Sequence, residues 1–92
     1  MPALSQQEID GRLGGLPQWK VAGGELERVF SFADFVAALA FVNQVGSLAE
    51  EAGHHPDIDI RYNRVRLALV THDAGGITTK DFELAAAVDK LA

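Results

Sequence analysis

The sequence predicts an α+β fold: a four-stranded antiparallel sheet with helices packed on one face, in the order α-β-β-α-β-β-α. Three observations carry this prediction. Two stretches, "WKVAGGELERVF" and "DIDIRYNRVRLALVTH", alternate apolar and polar residues around a central turn, the period-two signature of hairpin strands. Three others open with Ser or Thr three residues before Asp or Glu and then repeat apolar residues at helical intervals. No linker, repeat or low-complexity tract separates them, so the 92 residues, 1–92, are expected to fold as one domain around one core.

The elements follow in order. Ser5 and Glu8 have capping-box spacing, Ile9, Leu13 and Leu16 form a weak apolar stripe, and Gly14, Gly15 and Pro17 end this short first helix. Gly23-Gly24 then supplies the positive φ of a two-residue hairpin turn. Pairing outward sets Val21 opposite Leu26 and Lys20 opposite Glu27. Ser31 and Asp34 are spaced to cap a long helix with Phe35, Leu39, Val42, Val45 and Ala49 inward, and Gly53 is its left-handed terminator. In the second hairpin, Asn63-Arg64 is the expected turn, pairing Tyr62 with Val65, Ile60 with Leu67 and Ile58 with Leu69. Thr78 and Asp81 open the last helix, with Phe82, Ala85, Val88 and Leu91 inward. The aromatics Trp19, Phe30, Phe32, Phe35 and Phe41 read as core rather than as a ligand stack.

Composition narrows the function. At 48% apolar and 23% charged, the chain has enough apolar surface to fold. Eight Lys and Arg against thirteen Asp and Glu give a net charge of −5, so no positive field gathers nucleic acid or anionic lipid. The absence of cysteine removes a disulfide frame, a thiolate nucleophile and sulfur-ligated zinc, and fits a reducing compartment. The first residues, "MPALSQQEID", lack a basic stretch followed by an apolar run, and no apolar run approaches membrane-spanning length. A soluble, cytoplasmic protein is expected.

The chemistry concentrates in "AGHHPDIDI", where two of the three histidines precede a proline. If the second hairpin keeps the register above, His55 lies opposite His72, where paired Cβ atoms stand about 4.5–5.5 Å apart. Three readings stay open: a polar loop, a metal site, and a pair of proton-transfer groups. Neighbouring imidazoles diverge in an extended segment and the Glu-flanked helical spacing of catalytic zinc motifs is absent, which weighs against a metal. Imidazole gives and takes protons near neutrality without a cofactor, so a reaction that protonates one atom while deprotonating another would use two. Asp81 reads first as a helix cap, and a role at the site is compatible with that. Glu50 lies four residues before His54, where it could orient or charge that ring. No phosphate-binding glycine loop and no Gly-x-Ser-x-Gly elbow is present.

The run "HHPDIDIRYNRVRLALVTHDAGGITTKDFELA" resembles the carboxyl-terminal half of the pterin-4a-carbinolamine dehydratases. That family's signature is His-His-Pro and an acidic residue, a Tyr-Asn turn, Thr-His, a Gly-containing loop, and Thr or Ser shortly before an Asp. The likeness covers roughly residues 19 to 92 and includes the Phe-x-Phe entry to the long helix; the first helix is only loosely similar. Departures are Asp57 where Glu is frequent, Ile58 where an aromatic is common, and Gly53 before the histidines. The resemblance implies a lyase that dehydrates 4a-hydroxytetrahydropterin to quinonoid dihydropterin in tetrahydropterin recycling, with no cofactor and no metal. It further implies catalytic His54, His55 and His72: His54 and His72 as the acid–base pair, and His55 touching the pterin. Pro56, Asp81, Glu50 and Thr71 complete the expected substrate-binding set, with Asp81 orienting His72 or meeting the pterin edge and Glu50 lending negative charge. A homodimer or homotetramer is expected. The alternative is a dimerisation or assembly factor that keeps the fold without the chemistry.

Overall fold

The capping pattern at the amino end forms as its residues dictate. In the computed structural model, which describes residues 2–92 and leaves Met1 outside the described residues, the Ser5 hydroxyl accepts from the Glu8 amide at 3.2 Å and the Glu8 carboxylate accepts from the Ser5 amide at 2.9 Å. Helix α1, Gln6–Leu13, starts from that box and buries Ile9. Strands β1 (Lys20–Ala22) and β2 (Glu25–Ser31) turn on Gly23 and Gly24, at φ 59° and 79°. Both are in the left-handed region that the turn needs and that a side chain disfavours. Their register is the expected one, Val21 with Leu26 and Lys20 with Glu27.

Helix α2, Phe35–Ala52, starts three residues later than the Ser31 cap would place it. Ser31 is drawn into β2, where it pairs with Arg64, and Asp34 caps the helix instead by accepting from the Ala37 amide at 2.9 Å. The inward stripe changes with it. Ala38, Phe41, Val45 and Ala49 are buried, whereas Phe35 and Leu39, expected inside, are 45% and 40% exposed. The face that meets the rest of the fold carries alanines, whose small side chains let α2 approach closely.

The second hairpin, β3 (Asp57–Arg61) and β4 (Arg64–Leu69), corrects the expected register by two residues. Its turn is Tyr62-Asn63, and Ile60 pairs with Val65 and Ile58 with Leu67. Tyr62 takes φ 54° there. A slip of two keeps every side chain on its face, so the apolar pattern cannot tell the registers apart. What decides is a neighbour: the Asn63 amide donates to the Phe32 carbonyl at 2.9 Å, and the Phe32 amide donates to the Asn63 carbonyl at 2.8 Å. Asn63 is thereby clamped in the turn.

The sheet order is β1-β2-β4-β3, all antiparallel. Leu26, Phe30, Val65, Leu67 and Leu69 from the two central strands form the core floor under α2 and α3 (Thr79–Asp89), with Trp19, Phe41, Phe82, Ala85 and Val88. Of the aromatics expected in the core, Phe35 alone lies largely outside it. The opposite face is polar, centred on Arg66, which donates to Glu27 and Asp59; the bond to Glu27 is the main cause that raises the Arg66 pKa. Between β4 and α3 the chain closes on itself. Thr71 and Gly76 exchange backbone hydrogen bonds at 3.1 and 3.3 Å, closing a short 3-10 turn over His72–Ala74.

Candidate functional site

Two turns bring the histidines together. At the first, Gly53 takes φ 65°, its amide donates to the Glu50 carbonyl, and the His54 amide donates back to the Ala49 carbonyl at 3.1 Å. This is the Schellman end of a helix, and it redirects the chain so that His54 turns under α2 toward α3. At the second, the Thr71–Gly76 closure sets His72 at the start of the 3-10 turn, past the end of β4. Strand pairing is not the cause: in the observed register β3 begins at Asp57 and β4 ends at Leu69, so the expected opposition of His55 and His72 across the ladder does not occur. The three imidazoles nevertheless wall one open cleft of about 270 Å³, together with Val70, Thr71, Asp73 and Lys80.

Their environments differ. His54 is 12% exposed in its side chain, and its Nε2 lies 2.5 Å from Oδ1 of Asp81, a carboxylate with no exposure. A carboxylate accepts, so Nε2 carries the proton in this bond and Nδ1 is the nitrogen left to exchange protons. Oδ2 of the same carboxylate accepts from the Thr71 hydroxyl at 2.9 Å and from the Thr78 amide at 2.9 Å. Since the one hydroxyl proton of Thr71 is used there, the 2.7 Å contact between Thr71 and Thr78 is a bond donated by Thr78. Three donors thus converge on Asp81, and among the described residues no buried polar side-chain atom lacks a partner. Asp81 is at once the helix cap of α3 and the fixed partner of His54.

His55 faces outward. Its Nε2 is 3.1 Å from Glu50 Oε1, with both side chains mostly in solvent at 63% and 75% exposure. Glu50 therefore meets His55, not His54 as its spacing suggested, because the Gly53 turn carries His54 away from the last turn of α2. Asp81 meets His54, not His72. The ring of His72 is exposed and has no hydrogen-bond partner among the described residues. Pro56, half-buried, leads from His55 into β3 and is not in the cleft wall, and neither is Glu50. Thr78, Lys80 and Asp73 were not singled out by sequence reasoning. Thr78 was visible as a cap and within the Thr-before-Asp part of the family signature, and Lys80 and Asp73 carried no signal beyond adjacency to Asp81 and His72. Among the described residues, no group of three or more His, Asp or Glu side chains is gathered to hold a metal ion.

The arrangement can do acid–base chemistry: one imidazole held in a fixed tautomer by a buried carboxylate, and another free in the same cleft. Comparison with known proteins gives matches over nearly the whole chain. Residues 2–91 match the family model described as pterin 4 alpha carbinolamine dehydratase, so the match takes in the first helix as well. A protein of Acidobacterium capsulatum named "Putative pterin-4-alpha-carbinolamine dehydratase" is 64% identical over 91 residues, 99% of each chain. One of the same name from Chloroflexus aurantiacus is 62% identical, covering 99% of this chain and 98% of its own. Among solved structures, a transcriptional coactivator/pterin dehydratase from Brucella melitensis superposes with a TM-score of 0.92 at 35% identity, over 98% of both chains. A pterin dehydratase-like protein described as a RuBisCO assembly factor in the alpha-carboxysome gives 0.65 at 28% identity, over 80% of this chain and 86% of its own.

Proposed function

The chain belongs to the pterin 4 alpha carbinolamine dehydratase family, and from that premise we propose that it dehydrates 4a-hydroxytetrahydropterin by histidine acid–base catalysis. Hydroxide leaves poorly. An acid must protonate the 4a-oxygen as a base removes the N5 proton; the N5 electron pair then forms the N5–C4a double bond, the C4a–O bond breaks, and quinonoid dihydropterin and water result. The observation that carries the reading is the His54–Asp81 pair opening on the same cleft as His72.

His54 suits the base. Proton uptake at Nδ1 makes an imidazolium whose Nε2 proton is already directed at a buried carboxylate, the arrangement that stabilises such a cation. His72, exposed and unpartnered among the described residues, suits the acid, since its proton is not committed elsewhere. His55 contacts the pterin from the rim with Thr71, while Glu50 lends its charge through His55. Pro56 fixes the entry of the segment that bears both histidines. The same reading places the protein in cytoplasmic tetrahydropterin recycling as a homodimer or homotetramer.

A second reading, an assembly factor without catalysis, is favoured by the likeness to the RuBisCO assembly factor alone. The complete set of three histidines with its buried carboxylate favours the enzyme. The test is dehydration of freshly formed 4a-hydroxytetrahydropterin, with and without chelator. Acceleration over the spontaneous reaction that survives chelation is expected. No acceleration would favour the assembly role, and loss on chelation would point to a bound metal.

A further inference from the structure

The cleft shared by the histidines is small for a substituted pterin. Its 270 Å³ falls short of the roughly 300–1,000 Å³ typical of small-molecule sites. A second groove of about 380 Å³ runs between the end of α2 and the start of α3, and His54 and Lys80 wall both. The groove is floored by buried Leu84 and half-buried Leu48 and Ala87, and rimmed by the exposed carboxylates of Glu51 and Glu83, neither of which forms an ion pair among the described residues.

Taking the dehydratase reading as its basis, we infer that this α2–α3 groove receives the substituent at C6 of the pterin and selects for short or hydroxylated uncharged chains over acidic ones. The argument is one of connectivity. The base takes its proton from N5, and C6 is bonded to N5, so whatever C6 carries leaves the ring within two bonds of the His54 side of the cleft. The hydroxyl on C4a faces the other histidine. Beyond His54 lies the groove, whose Leu48, Leu84 and Ala87 side chains pack against an alkyl chain and whose carboxylates accept hydrogen bonds from its hydroxyls. A carboxylate-bearing chain, such as an aryl-glutamate, would meet Glu51 and Glu83 as like charges, with Lys80 the one cation in the groove wall. The other adjoining hollow, beside His72, is walled by Gly23, Gly24, Gly75 and Gly76 with Val70 and Glu25, and offers less apolar surface to an alkyl chain.

The test uses the full chain and three 4a-hydroxytetrahydropterins that differ only at C6: methyl, a trihydroxypropyl-type chain, and an aryl-glutamate. Ala87→Phe, which fills the groove, is expected to lower kcat/KM at least about tenfold for the hydroxylated chain while leaving the methyl substrate within about twofold. The Glu51→Gln/Glu83→Gln pair is expected to raise kcat/KM for the aryl-glutamate substrate by about tenfold, with the methyl substrate unchanged. Methyl-substrate turnover also reports that each variant is folded. If both variants process all three substrates as the parent does, or if Ala87→Phe depresses all three equally, the substituent does not occupy the groove and the inference fails while the dehydratase reading stands. If the parent protein accelerates none of the three, the reading itself falls and takes the inference with it.

Discussion

His54 and His55 are neighbours in the chain, and each has a carboxylate as its partner, yet the two pairs have little else in common. His54 and Asp81 meet at 2.5 Å in the interior, and the Thr71 hydroxyl and the Thr78 backbone amide hold the carboxylate from its other side. His55 and Glu50 meet at 3.1 Å in solvent with nothing behind them. Water competes for the second pair and long side chains lose freedom to make it, so such a contact is worth little. The first lies out of water's reach, so breaking it would leave Oδ1 of a buried carboxylate without its partner. One histidine is therefore a fixed part, and its neighbour is an adjustable one.

The sharpest way to break this contrast is at Asp81. Asp81→Asn keeps the shape but offers an amide hydrogen where only acceptors fit, so it is expected to cost about 3 kcal/mol and slow single-turnover dehydration roughly a hundredfold or more. A urea midpoint and rate within error of the parent would mean that the network holds nothing. Thr71→Val removes one donor to Asp81 and leaves the Thr78 hydroxyl without its acceptor. About 1–2 kcal/mol is expected, with a smaller rate effect than at Asp81. A variant as slow as Asp81→Asn would instead place Thr71 in contact with the reacting atoms.

Glu50→Gln is the matching test of the exposed pair. Stability is expected to stay within about 0.5 kcal/mol and the rate within about threefold. A hundredfold loss would erase the distinction between the two pairs. The smallest effect is expected far from both. The Ser5 amide, with its hydroxyl, holds the Glu8 carboxyl below the ordinary carboxylate range. A folded-state pKa below the unfolded value means that this contribution is present above the unfolded pKa and is lost as pH falls through the folded one. Urea midpoints of the parent and Glu8→Gln should therefore differ slightly at neutral pH and converge in acid. A constant offset would show that the carboxylate's charge is not what stabilises α1.

What could be read from the sequence follows the range of the interactions. The caps at Ser5 and Thr78 and the Gly23-Gly24 turn were legible because their hydrogen bonds and dihedrals are set within a few residues. Ser31 has the same local pattern as a cap and fails as one, because the ladder to Arg64 claims it from another part of the chain. The slip of the second hairpin is of the same kind: alternation fixes the face, but only the clamp between Asn63 and Phe32 fixes which residues turn. At the site, the residue types were apparent and their partners were not. Asp81 and His54 lie 27 positions apart with no period linking them. The capping signature of Asp81 left room for a role at the site but carried no information on which imidazole the carboxylate meets.

The most direct measurement of the central claim is single-turnover dehydration by His54→Gln and His72→Gln, each checked for native stability. If the ring held by Asp81 and the free ring of His72 move the two protons, each substitution lowers the rate by about a hundredfold or more, as removal of a positioned acid or base does. Parental rates in both variants would contradict it.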